Sequence, residues 1–235
     1  MLPKIQHPIF EFTVPSTKVM TNFRPFLVKE EKILLMAKSS EDRADILRAI
    51  KQVVNNCAID EKFDVNKLTL FDLEYLFLKL RSVSVDNVVK VSYRDNDDQK
   101  VYDFEIDLSS VEVKFPENVE SVIKITDEMG IVMRYPSASI FDDRSYFRAG
   151  DDAYYELVLR CIDKIYSSDD VYQASDYTKE DLESFLDDCG IAVFNHIQKF
   201  MTNVPRLYHR LEYKNSNGKD RVIELTSLTD FFTLG

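Results

Sequence analysis

Residues 89–111 read VKVSYRDNDDQKVYDFEIDLSSV, and residues 209–228 read HRLEYKNSNGKDRVIELTSL. Each runs from an alternating apolar segment ending in tyrosine (Tyr93, Tyr213), through a polar tip, into a second alternating segment closing on a leucine-containing tail. Period-2 alternation on both sides of Asn, Asp and Gly is the pattern of a β-hairpin. One small device is therefore used twice. Adjacent strand signals joined by short turns demand antiparallel pairing, and helical segments stand between the two hairpins. The predicted class is α+β, with antiparallel hairpins packed on helices rather than a doubly wound parallel sheet.

The remaining segments are read outward from the hairpins. Before the first, TLFDLEYLFLKLR (Thr69–Arg81) is apolar on both faces and opens on a Thr69/Asp72 capping box, so it predicts a buried helix. Before that, Ile46, Leu47, Ile50, Val53 and Val54 fall at helical spacing, behind a cap expected at Ser39 or Ser40. Phe26–Ala37 reads as strand, turn, strand, or with a short buried helix in its second half. Residues 8–20 carry Pro8 and Pro15, which suit an extended arm. After the first hairpin, Ser121–Tyr135 predicts another, turning at Asp127–Gly130. A helix is expected from Asp151 or Asp152 to Ile165, a capping-box helix from Thr178 to about Asp188, and a third over Ile191–Thr202. The polar connector Pro136–Gly150 is the expected boundary. It separates an N-terminal α+β region (1–136) from a mainly helical region with the second hairpin (137–235), unless the two form one continuous domain.

Composition excludes more than it selects. The chain has 235 residues, 45% hydrophobic and 30% charged, with 16 Phe, 12 Tyr and no Trp. That is ordinary globular usage with an aromatic-rich core. A net charge of −11 without a basic run argues against nucleic acid as a partner. The acidity serves solubility or steering toward a basic partner. Cys57, Cys161 and Cys189 are odd in number and widely spaced, which favours a reducing compartment over a disulfide framework. The opening MLPKIQHPIFEF does not read as a signal peptide, and no apolar run is long enough to span a bilayer.

No catalytic pattern emerges. The hairpins have the outline of zinc-ribbon knuckles, yet their tips, RDNDDQ and NSNGKD, contain neither Cys nor His. Asp95, Asp97 and Asp98 lack the glycine and distal glutamate of a calcium loop. Turn chemistry accounts for both tips, so Asp95–Gln99 and Asn215–Lys219 are expected to be exposed and free of metal. His7, His196 and His209 have no Ser or Cys in a known arrangement, and no glycine-rich phosphate loop is present. Cys189 ends a helix, where the partial negative charge disfavours a thiolate. Paired carboxylates such as Asp142–Asp143 and Asp187–Asp188 sit at helix ends or in connectors. The expectation is no enzyme, no catalytic residue, no metal and no cofactor.

The order of these segments resembles the T4-type baseplate hub assembly proteins of tailed phages. The resemblance is carried by LPKIQHPIFEFTVPSTKVMTNFRPFLVKEEKILLMA (Leu2–Ala37), SSEDRADILRAIKQVVNNC (Ser39–Cys57) and LTLFDLEYLFLKLRSVSV (Leu68–Val85), and by HIQKFMTNVPRLYHRLEYKNSNGKDRVIELTSLTDFF (His196–Phe232). It implies a non-enzymatic assembly factor for the central hub of a contractile tail baseplate, with hub or tape-measure proteins as partners. The place of action would be the host cytoplasm during assembly, or the virion baseplate. Some members of that family carry Cys-x-x-Cys knuckles at the hairpin tips, and this chain departs from them at both. The alternatives are a minor structural subunit of the hub, a hydrolase whose site assembles only in three dimensions around His196 or His209, and a regulatory protein mimicking nucleic-acid charge. An assembly factor releases its client, so its contact should rest on a few aromatic anchors. Phe231 and Phe232 are the expected pair, at least one of them exposed, with the N-terminal arm as a second surface.

Overall fold

The computed structural model describes residues 5–40, 42–143 and 153–231. Among these, the chain opens with strands β1 (Phe10–Thr13) and β2 (Met20–Phe23) and helices α1 (Val28–Ser40), α2 (Arg43–Cys57) and α3 (Leu70–Ser84). Strands β3 (Val88–Arg94), β4 (Val101–Asp107), β5 (Glu112–Lys114), β6 (Val122–Lys124) and β7 (Gly130–Met133) follow. Next come α4 (Ala153–Arg160), β8 (Ile162–Tyr166), β9 (Val171–Gln173), α5 (Lys179–Asp187) and α6 (Ile191–Thr202). The chain closes with β10 (Arg206–Lys214), β11 (Asp220–Leu225) and α7 (Leu228–Phe231). Every strand pairing is antiparallel, so the α+β class holds.

The chain divides into two compact units, Met1–Lys114 with Arg206–Gly235, and Phe115–Pro205. The division falls beside Lys114 and Pro205 rather than in the 136–150 connector. It differs from the expectation because the second hairpin returns to the first unit, where β10 pairs with β5 through Arg206↔Lys114, Leu207↔Val113 and Tyr208↔Glu112. A pairing across about ninety residues leaves no local mark in the sequence.

In the first unit α3 is the buried helix its apolar faces predict, with Leu73, Leu76, Leu78 and Leu80 at most 1% exposed. Its capping box is complete: the Asp72 N–H donates to Thr69 Oγ1 at 3.2 Å, and the Thr69 N–H donates to Asp72 Oδ2 at 3.0 Å. The same carboxylate accepts from the Ser16 N–H at 2.8 Å and from Ser16 Oγ at 2.6 Å. A helix cap thereby also fixes the turn between β1 and β2. Phe23 is fully buried between Phe12 and Phe63, with ring centroids 5.7 and 5.4 Å away.

Phe26–Ala37 forms no strand pair. Val28–Ser40 is one helix, and Glu30 is its buried residue. Its Leu35 and Met36 face solvent, so the segment is not the buried helix considered either. The cap of α2 is Asp42, whose Oδ1 accepts from the Ala44 N–H at 2.8 Å, rather than Ser39 or Ser40. Both serines still belong to α1 and turn their hydroxyls back to the carbonyls of Leu35 and Ala37.

The second unit is a four-stranded sheet in the order β6-β7-β8-β9 with α4, α5 and α6. Ile131, Ile162, Val158 and Ile197 are completely buried in its core, and the Phe200 ring stacks on Tyr135 at 5.2 Å. The helix expected to reach Ile165 stops at Arg160. The Cys161 N–H donates to the carbonyls of Leu157 and Val158, closing the last turn, and Ile162–Tyr166 continues as the third strand of the sheet. Cys161, Ile162 and Ile165 fit helical spacing and a buried strand equally well, which is why periodicity misplaces this boundary. The Asp151/Asp152 start lies outside the described residues. Gly130 meets the need for close approach: a Cβ there would lie 2.6 Å from the Ile123 carbonyl oxygen and against the Tyr166 hydroxyl.

Candidate functional site: the clasped hairpin tips and the N-terminal surface

The two hairpins stand where the sequence places them. β3 pairs with β4 from Val88↔Asp107 to Arg94↔Val101, and β10 with β11 from His209↔Leu225 to Lys214↔Asp220. Their tips share a local design. Asp95 Oδ1 accepts from the Asp97 N–H at 2.7 Å, and Asn215 Oδ1 accepts from the N–H groups of Asn217 and Lys219 at 3.1 and 3.0 Å. Both are side chains that mimic a backbone turn. Gly218 takes φ +77° and closes a three-residue loop; Asn217 has no positive φ, so the loop is not the two-residue turn that Asn-Gly favours. Gln99 takes φ 61° at the equivalent closing position of the first tip.

The tips are not free loops: they hold each other. Tyr213 Oη donates to Asp95 Oδ2 at 2.6 Å, and Arg221 Nε donates to the same oxygen at 3.1 Å. Asp97 Oδ2 accepts from Asn215 Nδ2 and Asn217 Nδ2, each at 2.9 Å, and Lys219 Nζ pairs with Asp97 Oδ1. Asp98 Oδ2 accepts from Ser216 N and Oγ at 3.0 and 2.8 Å and from Tyr102 Oη at 2.5 Å. Behind these bonds the Tyr213 ring packs on Tyr102 and Phe104, 4.8 and 5.2 Å away. Asn96, Asp97, Gln99 and Ser216–Lys219 are exposed as expected, but Asp95 and Asn215, at 0% and 4% exposure, are buried. They are covered because each tip is the other's solvent.

Electrostatics follow from those donors. The Lys219 ammonium, with the amides of Asn217 and Asn215, holds the Asp97 carboxyl down to about 2. The Tyr213 hydroxyl lowers Asp95, aided by the Asp97 N–H and Arg221. Partial dehydration pulls Asp98 upward, but bonds from Tyr102, the Lys100 N–H and Ser216 outweigh it and leave it low. All three aspartates are ionised and their oxygens are occupied by protein donors. Among the described residues, no group of three or more His, Cys, Asp or Glu side chains could hold a metal ion.

His209 Nδ1 lies 3.4 Å from Ser110 Oγ in the first unit, whereas His196 is exposed on α6 in the second. Burial pushes the Cys57 thiol up to about 11 and the Cys161 thiol up to about 12. Both are therefore neutral at physiological pH and poor nucleophiles. Burial also raises Cys189, and neighbouring Asp188 adds to it. Phe231 is 1% exposed and belongs to the core of the first unit, while Phe232 lies outside the described residues. Phe231 therefore does not supply the exposed ring expected of the pair.

What the first unit does present is apolar surface along its N-terminal half. Ile5 (79% exposed), Ile9, Val19 and Met20 stand out from the arm and its hairpin, and Val28, Leu35 and Met36 (75% exposed) from α1. Scattered exposed aliphatics are unremarkable on any protein, but a run of them on one segment marks a contact region. Sequence periodicity pointed to the arm and missed α1, whose apolar residues are spread around the helix instead of along one stripe.

Among the described residues the ribbons are small and antiparallel, two of them are fastened at their tips, and α1 carries exposed aliphatics, so the chain offers surface to partners. The model of the T4 bacteriophage base plate protein family matches residues 7–233, and the chain belongs to that family. Comparison with curated proteins and with solved structures gave no match. Family membership implies phage structural proteins as partners and the virion base plate as the place of function. Among the described residues no helix is long and apolar enough to cross a membrane.

Proposed function

We propose that the chain is a non-enzymatic assembly factor for the central hub of a contractile tail base plate, and that it binds hub or tape-measure proteins while the hub is built. The observation that supports this reading is the exposed aliphatic surface of the arm and α1 on a chain matched nearly end to end by a base plate family. Such a surface can cover apolar segments of a partner until assembly buries them.

Mass spectrometry of purified particles beside infected-cell lysate tests the assignment. An assembly factor is abundant in lysate and absent from particles. Stoichiometric presence in particles would instead establish a minor hub subunit and overturn the transient role.

A further inference from the structure

We infer that the groove between β6 and α6 takes up an extended acidic segment of a partner polypeptide, which adds as a fifth strand at the open edge of β6. For the claim that the partner is a phage tail protein this rests on the reading above; the site itself does not. The four-stranded sheet ends at β6, and no described residue pairs with its outer side. The ladder sets which groups face outward. Ser121 accepts from the Met133 N–H, and the Ile125 N–H donates to Met129, so residues of odd number bond inward to β7. The N–H and C=O of Val122 and Lys124 therefore point to the open edge. An edge of this kind is a template for strand addition unless it is covered.

Beside that edge lies a groove of about 450 Å³, floored by Val119, Ile123 and Phe200 and flanked by the half-exposed Val122. Its rim carries Lys124, Lys199 and His196 against a single carboxylate, Glu120. Among the described residues neither lysine has an ion-pair partner. A second groove in this unit differs: its Arg160 is paired with Glu156 and Asp143, and its Lys179 with Glu156 and Glu183. In a chain of net charge −11, a cluster of uncommitted cations around an apolar floor selects an anionic and partly apolar occupant. The unpaired backbone edge makes that occupant a peptide. Strand addition supplies main-chain bonds, and alternate side chains supply selectivity. The added strand would run beside the partly exposed Val119, and its carboxylates would reach Lys124, Lys199 and His196.

The probe is a fluorescein-labelled hexapeptide alternating valine and glutamate, titrated with the full chain by anisotropy. Binding is expected at low ionic strength and should be largely lost near 1 M salt, where the Debye length is about 3 Å. The double variant Lys124→Glu, Lys199→Glu should weaken it by about tenfold, the combined effect of two exposed charge contacts. Val122→Pro removes an outward donor and should abolish binding, whereas Val122→Ala should retain it. In the unmodified chain, the peptide should slow amide exchange at Val122 and Lys124, a readout that does not depend on a variant folding.

Failure of the peptide to bind, equal binding of a valine–lysine counterpart, or binding without protection of those two amides would each overturn the inference. So would an oligothymidylate that binds through the same lysines with indifference to Val122→Pro, since that would make the groove a site for anionic polymers. A peptide that binds as expected while no tail protein is captured from infected cells would leave the site standing and remove only the assembly role.

Discussion

Asp97 shows how one residue of a hairpin tip sets a condition on the molecule. Its carboxylate accepts bonds from Lys219, Asn217 and Asn215, so the folded chain holds a proton there less tightly than the unfolded chain, at about 2 instead of the ordinary 3.8. Stability from this group is therefore complete above about pH 4 and is lost as the pH falls through about 2. The expected outcome is that the side-chain amides of Asn215 and Asn217 lose their distinct NMR shifts over that window. An Asp97 midpoint near 3.8 would contradict the clasp. Glu30 is the second residue of this kind. Its fully buried carboxylate receives both Arg24 guanidinium nitrogens at 3.0 Å and the Leu27 N–H at 3.0 Å, while Arg24 also donates to Asn56 O at 2.7 Å. Glu30→Ala leaves an arginine charge with no carboxylate in a largely enclosed site and should cost about 3 kcal/mol in denaturant unfolding. A change within experimental error would show that solvent reaches the pair.

At the scale of elements, Gly130 tests the second unit as Glu30 tests the first. Gly130→Ala sets a methyl against the Ile123 carbonyl oxygen, part of the paired strand, and should destabilise by about 1–3 kcal/mol through overpacking. Unchanged thermal unfolding would mean that β6 and β7 are less tightly held than described. The elements also show what the sequence carries and what it does not. Both capping boxes, Thr69/Asp72 and Thr178/Asp181, were legible because the bonding partners lie three residues apart. So were the two long hairpins, where alternation and turn residues agree. Ser16 on Asp72 was not legible, because 56 residues separate them and a single serine has no periodicity. The three-residue strands β5 and β9 were not legible, whereas the equally short β6 was marked by the hairpin turn that follows it. The clasp was half legible: one tip offers Asp95, Asp97 and Asp98, and the other Lys219, Arg221 and two asparagines. The charges match, yet nothing local says that tips 118 residues apart meet.

For the whole molecule, the described residues join a buried core to an exposed aliphatic surface suited to partners. The first unit buries Phe23, Leu76, Leu78, Leu80 and Phe231 while leaving Ile9, Met20, Leu35 and Met36 in solvent. Replacing Leu35 and Met36 together with aspartate should leave thermal stability within about 0.5 kcal/mol, as for surface sites generally, while reducing partner capture. Loss of stability in step with loss of capture would assign these side chains to packing instead. The assembly role is tested by quantitative mass spectrometry of the proteins that co-purify with the tagged chain from infected cells. Hub or tape-measure proteins should be strongly enriched over the lysate, and the enrichment should be lost in the Leu35→Asp, Met36→Asp variant. Capture that enriches no base plate protein, from cells in which tails are being built, would contradict it.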